Sequence, residues 1–345
     1  MILKGKTQPS VKTINLALQG GGSHGAFTWG VLDTLLEDGR FNIEGVSGTS
    51  AGAMNAIALA NGLAVGGNDG AREALSKLWL AVAESAVLST SLTSDNDQVP
   101  RMSSSAKLLK KFATTYLSPE QMNPFNLNPL RDILERQIDF EKLRHASPVK
   151  LFIAATNANS GKLRLFDDKE ISVDSILASA CLPTIHRAIM IDDEPYWDGA
   201  YSANPAIFPL FYHCASDDIL MVLLSPLKFE ATPYSAQEIR WRQSEISFQS
   251  TFLREMRMYA HLRDYVKDSI SLNCRFESKI KRTNFHIIAA GESMSHYSAE
   301  TKLIPKESFL THLRDMGREH AKQWLSDQAN SVGKCSSVDL GSLFY

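Results

Sequence analysis

The sequence predicts an α/β fold with parallel strands at its centre. Three observations carry that expectation. Two strand–turn–helix units follow one another, in 13–38 and 41–62. Short apolar runs of strand length recur at 149–158, 217–226 and 283–291. Segments with helical spacing stand between them, and strands alternating with helices are the pattern of a parallel sheet covered by helices.

Each element has its own justification. "TINLALQ" (13–19) is a short apolar strand, and "GGGSHG" (20–25) breaks it. Phe27, Val31, Leu32 and Leu35 then recur near a 3.6-residue period, so "AFTWGVLDTLLEDG" reads as a helix ended by Gly39. "FNIEGVSG" (41–48) is a second strand, "SAGAMNAIALANG" (50–62) a buried helix, and 69–85 another helix. The stretch 86–128 is polar and Ser-rich, with a basic amphipathic segment at 106–117. That segment reads either as a solvated helix over the core or as a lid touching a lipid surface. Residues 128–143 read as one helix with Asn128 near its start, and 149–158 as a strand paired with 161–168 in a hairpin. "SVDSILASACLP" (172–183) is a helix stopped by Pro183, and 188–201 forms two short strands around a turn. Core strands follow at 217–226 and 283–291, a long helical region at 235–273 and a final helix at 305–328. The expected organisation is an N-terminal extension (1–12), a catalytic core (13–228) with 86–128 as cap or lid, a helical C-terminal region (229–328) with one late core strand, and a flexible tail (329–345).

Composition excludes several classes. The chain has 345 residues, 44% hydrophobic and 21% charged, with net charge −2. A nucleic-acid partner is not expected, because such proteins carry a basic excess. The four cysteines are scattered without a CxxC pair, so neither a zinc site nor a disulfide framework is expected. Free thiols fit a reducing compartment. The N-terminus lacks the apolar middle of a signal peptide, and no run of about 18 apolar residues suits a membrane span. The expected location is the cytoplasm, with peripheral membrane contact left open.

The chemistry concentrates in two glycine-rich turns. Ser50 lies within Gly48-Thr49-Ser50-Ala51-Gly52, between a predicted strand and a predicted helix. Glycines on either side of a serine let the chain turn sharply and lift the hydroxyl out at a helix N-terminus. Backbone N–H groups and the helix dipole there favour negative charge. The other turn, Gly20 to Gly25, also satisfies GxGxxG. A dinucleotide site needs an acidic residue after the second strand, where this chain has the Gly48–Gly52 turn instead. Bare glycine N–H groups could equally hold an oxyanion, joining both turns into one site. Two bases for Ser50 stay open. Eight histidines follow it, none in a telling context, and His286 inside an apolar strand reads as a core residue. Asp198, in "WDGAYSANP" (197–205), stands at a strand end beside Gly199.

Together these segments resemble the patatin-like phospholipase family. The motifs stand in order as Gly20-Gly21-Gly22-Ser23-His24-Gly25, Gly48-Thr49-Ser50-Ala51-Gly52, Ala178-Ser179-Ala180-Cys181-Leu182-Pro183 and Asp198-Gly199-Ala200, within about residues 13–226. The resemblance implies a three-layer α/β/α fold and a Ser50–Asp198 dyad without histidine. Gly20, Gly21, Gly22 and Ala51 would supply the oxyanion hole. Gly25, Gly48, Gly52, Gly199 and Ala200 would complete the motifs, with Pro183 and Ser179 in structural roles. Many relatives carry Arg or Lys where this chain has His24, and a positive charge there would assist an anionic substrate. The implied activity is cleavage of carboxylic esters in phospholipids or acylglycerols, without metal or organic cofactor. Membrane contact would be transient. The competing readings are a binding module that uses the Gly-rich turn for a nucleotide, and a Ser–His–Asp esterase.

Overall fold

The computed structural model describes residues 11–85, 117–267 and 274–345. Strand β1 (Lys12–Leu18) leads through a Gly-rich turn into α1 (Gly25–Asp38), and β2 (Phe41–Thr49) leads directly into α2 (Ala51–Ser85). Helical geometry fails within α2 at Gly66 and Gly67, so its halves correspond to the two helices expected there. Short α3 (Pro119–Met122) precedes α4 (Pro129–Gln137) and α5 (Phe140–Ala146). The single helix expected over 128–143 is therefore two. Ile138 turns extended, and the Asp139 side chain accepts the Lys142 N–H, which starts a new helix.

The hairpin β3 (Lys150–Asn157) and β4 (Leu163–Asp167) follows, then α6 (Val173–Ser179), β5 (Ile189–Ile191) and β6 (Glu194–Asp198). Helix α6 ends ahead of Pro183, which is a correction: Ala180 already leaves helical geometry, its N–H drawn onto the Leu177 and Ala178 carbonyls. Next come α7 (Phe208–His213), β7 (Asp218–Leu223), α8 (Ala236–Lys267) and α9 (Arg275–Arg282). The chain closes with β8 (Asn284–Ala289), α10 (Gly291–Ser295), α11 (Glu307–Asp327) and α12 (Leu340–Phe344).

One eight-stranded sheet runs β5-β6-β3-β2-β1-β7-β8, with β4 also paired to β3. The pairs among β3, β2, β1, β7 and β8 are parallel, and those of β4, β5 and β6 are antiparallel. Both faces are buried. Leu16, Leu18, Leu220 and Val222 pack into a core shared with α1, α2 and α11. Ala17, Ile219, Met221 and Leu223 point the other way, into a core shared with α7, α8 and α12. Burial on both faces explains why these strands read as continuous apolar runs rather than alternating ones.

The tail expected to be flexible from Ala329 is packed instead. Val332, Leu340 and Phe344 are buried. Lys12 Nζ donates to the Val332 carbonyl at 2.6 Å, the Ser336 hydroxyl accepts the Phe285 N–H at 3.0 Å, and Arg257 Nε donates to the Phe344 carbonyl at 3.0 Å. Its polar sequence hides these anchors, since each needs a partner distant in the chain. The basic segment expected at 106–117 lies, but for Leu117, outside the described residues, as do most of the expected cap and of the N-terminal extension. Among the described residues no helix is long and apolar enough to cross a membrane.

Candidate active site

Ser50 stands alone between the last residue of β2 and the first of α2. Its φ is +54°, in the left-handed region that L-residues other than glycine seldom adopt. Such a conformation costs about 1–2 kcal/mol and persists only where neighbours enforce it. The neighbours are clear. The Ser50 N–H donates to Ser179 Oγ at 2.9 Å, and the Ser50 carbonyl accepts the Met54 N–H at 3.1 Å. Thr49 Oγ1 donates to the Ala203 carbonyl at 2.9 Å. Gly52 is required by space: a Cβ there would sit 2.1 Å from the Leu18 carbonyl oxygen. The start of α2 thus presses onto the end of β1, bringing the two glycine-rich turns together.

Strand β3 brings Asp198 to Ser50. Thr49, at the end of β2, pairs with Ala154, while Asp198, at the end of β6, pairs with Ala155. The opposite edge of β3 is taken by β4 at both positions. So β6 takes over the same edge where β2 stops, and the residues after Thr49 meet the end of β6. Asp198 is held through its backbone as well. Its N–H donates to the Cys181 carbonyl at 2.8 Å, and its carbonyl accepts Thr156 Oγ1 at 2.8 Å. Gly199 and Ala200 continue as a short 3-10 turn, whose Ala200 N–H donates to Asp198 Oδ1 at 2.8 Å.

The Asp198 carboxyl is 1% exposed. Burial pushes its pKa up to about 6, against the pull of the Ala200 N–H and of the Ser50 hydroxyl, which lies within hydrogen-bonding reach. Desolvation disfavours the charged form, and a carboxylate poised near neutrality suits a general base.

The Gly20–Gly25 turn divides its amides. The Gly20 N–H is committed to Asn204 Oδ1 at 2.7 Å. Among the described residues no protein acceptor takes the N–H of Gly21, Gly22 or Ala51. Gly22 has φ +57°, and a Cβ there would lie 2.1 Å from the Lys302 carbonyl oxygen. Gly25 opens α1. His24 contributes no positive charge. Its ring is buried edge-on against Tyr297 and Phe309, with Nε2 2.8 Å from Thr301 Oγ1. Burial, with the nearby Lys302 charge, pushes its pKa down to about 3, so it is neutral at physiological pH. It pegs the Gly-rich turn to the 299–303 segment.

Among the described residues no histidine hydrogen-bonds to Ser50 or Asp198. A Ser–His–Asp chain does exist elsewhere: His286 Nδ1 lies 3.1 Å from Ser337 Oγ, and Nε2 lies 3.0 Å from Asp218 Oδ1. Asp218 opens β7, whereas Ser50 follows the end of the parallel β2, so this chain lies at the opposite end of the sheet. His286 is fully buried and ties the C-terminal tail to β7 and β8, as its apolar setting predicted. Replacing His286 by alanine is expected to lower stability by about 2–4 kcal/mol, leaving Asp218 short of a donor. If the wild type cleaves esters, as the resemblance implies, the folded variant should do so at the same rate; a parallel loss of kcat would favour the Ser–His–Asp reading.

The structure brings Ser50, Asp198 and the two glycine turns together, with one correction: the Gly20 N–H, expected in the oxyanion hole, is taken by Asn204 Oδ1. Sequence reasoning missed the clamp of Ala203 and Asn204, which accept Thr49 Oγ1 and the Gly20 N–H, and whose one signal was an asparagine six residues past Asp198. Asn204 and Pro205 lie ahead of α7, which starts at Phe208.

A mixed α/β sheet, mostly parallel at its centre, with a strained serine on a strand–helix turn and a buried carboxyl beside it, defines the architectural class. The model of the family described as patatin-like phospholipase matches residues 16–211, more than half the chain. The chain belongs to the patatin-like phospholipase family, a family of lipid hydrolases. No curated protein matches its sequence. Among solved structures, it is similar to VipD from Legionella pneumophila, with 16% identity and a TM-score of 0.42 over 93% of this chain and 67% of that one. It is also similar to ExoU, from the type III secretion system of Pseudomonas aeruginosa, in complex with SpcU, with 13% identity and a TM-score of 0.31 over 92% of this chain. The match spans about half of that chain, 53%.

Proposed function

We propose that the protein is a serine acyl hydrolase that cleaves carboxylic esters of phospholipids or acylglycerols. Ser50 Oγ attacks the ester carbonyl and passes its proton to the Asp198 carboxylate. The resulting oxyanion is received by the Gly21, Gly22 and Ala51 N–H groups, at the positive end of α2. Collapse of the tetrahedral intermediate expels the alcohol, which takes the proton from Asp198 and leaves an acyl-Ser50 ester. Asp198 then deprotonates a water that attacks this ester, and a fatty acid leaves. The observation that carries the reading is the meeting of the Ser50 hydroxyl with a buried carboxyl of raised pKa, on one edge of β3. Loss of a fixed cation at His24 removes one reason to prefer anionic lipids, so neutral acylglycerols stand beside phospholipids as substrates.

The test is product analysis by mass spectrometry after incubation with vesicles of mixed phospholipid and triacylglycerol. Free fatty acid, together with lysophospholipid or diacylglycerol, is the expected result. Absence of every such product, with the protein folded and vesicle-bound, would sink the proposal.

A further inference from the structure

Asn204 ends the turn that begins at Asp198, and the reaction scheme above does not use its side chain. It is 4% exposed. Its Oδ1 accepts the Gly20 N–H at 2.7 Å, at the short end of the range for such bonds. Its backbone carbonyl accepts Gln19 Nε2 at 3.3 Å. Gln19 Oε1 in turn accepts the N–H groups of Leu224 and Ser225, at 2.7 and 2.9 Å. One residue earlier, the Ala203 carbonyl accepts Thr49 Oγ1. Residues 203 and 204 therefore grip both glycine-rich turns, from the same segment that carries Asp198.

Space around Gly20 makes this grip consequential. A Cβ on Gly20 would lie 2.7 Å from the Thr49 carbonyl oxygen and 2.9 Å from Ser50 Cβ. The Gly20 peptide thus lies against the nucleophile turn, and its direction sets where the next two N–H groups point. Donors aimed at a developing charge help only when they are already oriented. An N–H with a bound acceptor of its own is a poor oxyanion donor but a good anchor for its neighbours. A neutral amide oxygen is also suited to this place, since a carboxylate would set a negative charge beside the oxyanion.

We infer that Asn204 is a positioning residue for acyl transfer: by holding the Gly20 N–H on Oδ1, it aims the Gly21 and Gly22 N–H groups at the oxyanion formed when Ser50 attacks. This inference rests on the function proposed above. Without Oδ1, the Gly20 N–H is left buried and unpartnered, and its peptide turns toward water.

The experiment compares the 345-residue wild type with Asn204→Ala and Asn204→Asp. The readouts are kcat and KM on p-nitrophenyl butyrate, and amide hydrogen exchange of the peptide covering 19–25. Asn204→Ala is expected to lower kcat about 100-fold, the scale of losing an oxyanion donor, with KM within about twofold. Exchange should rise in 19–25 and stay unchanged in β7 and β8. Asn204→Asp restores an oxygen acceptor, so it should recover the protection of 19–25 and part of the lost kcat, the added charge limiting the rest. An alanine variant that matches a working wild type overturns this inference alone. So does an alanine variant whose exchange rises throughout the sheet with kcat and KM failing together, or an aspartate variant that regains no protection. A folded wild type that hydrolyses no ester overturns the function as well.

Discussion

Replacing Ser50 by alanine removes covalent labelling by a fluorophosphonate probe and lowers ester hydrolysis by at least about 10⁴-fold. The probe phosphonylates only a serine whose hydroxyl is activated, exposed and faced by oxyanion donors. Among the described residues Ser50 combines these features: partial exposure, a buried carboxyl within reach, and N–H groups without protein acceptors at Gly21, Gly22 and Ala51. The variant should remain folded, because the backbone bonds of Ser50 to Ser179 and Met54 do not use its side chain. A companion variant sharpens the result. Ser50→Gly should be equally inactive but more stable than Ser50→Ala by about 1 kcal/mol, since glycine adopts φ +54° without the Cβ clash. Undiminished labelling of Ser50→Ala would place the reactive serine elsewhere.

Replacing Asp198 by asparagine lowers kcat by roughly 10²–10⁴-fold, the usual worth of a general base. It also makes the protein more stable at pH 8. The two effects share one cause. In the wild type, burial holds the carboxyl pKa at about 6, against an ordinary value of 3.8. The folded state therefore binds this proton more tightly than the unfolded chain. The stability it contributes is full below about pH 3.8 and is lost as pH rises through about 6. The loss is on the order of 3 kcal/mol, and asparagine escapes it. Activity runs the other way. The base must be ionised, so kcat/KM should climb as pH rises through about 6 and then level off. Stability curves and rate profiles measured from pH 4 to 8 check both signs. An asparagine variant with wild-type kcat would remove Asp198 from the chemistry.

Much of this was legible in one dimension, because local rules govern it. Alternation of apolar strands with helical spacing marks a sheet buried on both faces, and β1, β3, β7 and β8 are such strands. A serine between glycines at a strand–helix junction marks the nucleophile turn, because few other residues permit that close approach. Local rules also failed where local signals misled. Pro183 looked like the end of a helix that stops at Ser179, and polarity made 329–345 look loose although it packs on β7, β8 and α8.

Pairings between distant segments follow no local rule. Nothing near Asp198 in the chain says that β6 continues along β3 where β2 ends, yet that register brings it to Ser50. Nothing near His24 says that a ring beside the site is sealed, neutral, against Tyr297, Phe309 and Thr301. Nor does "SANP" reveal that Asn204 takes the Gly20 N–H. Residue types and spacing set which turns form and which groups are reactive. Charge state, donor direction and partnership depend on burial and on contacts across 150 residues or more, and these exist only once the sheet has assembled.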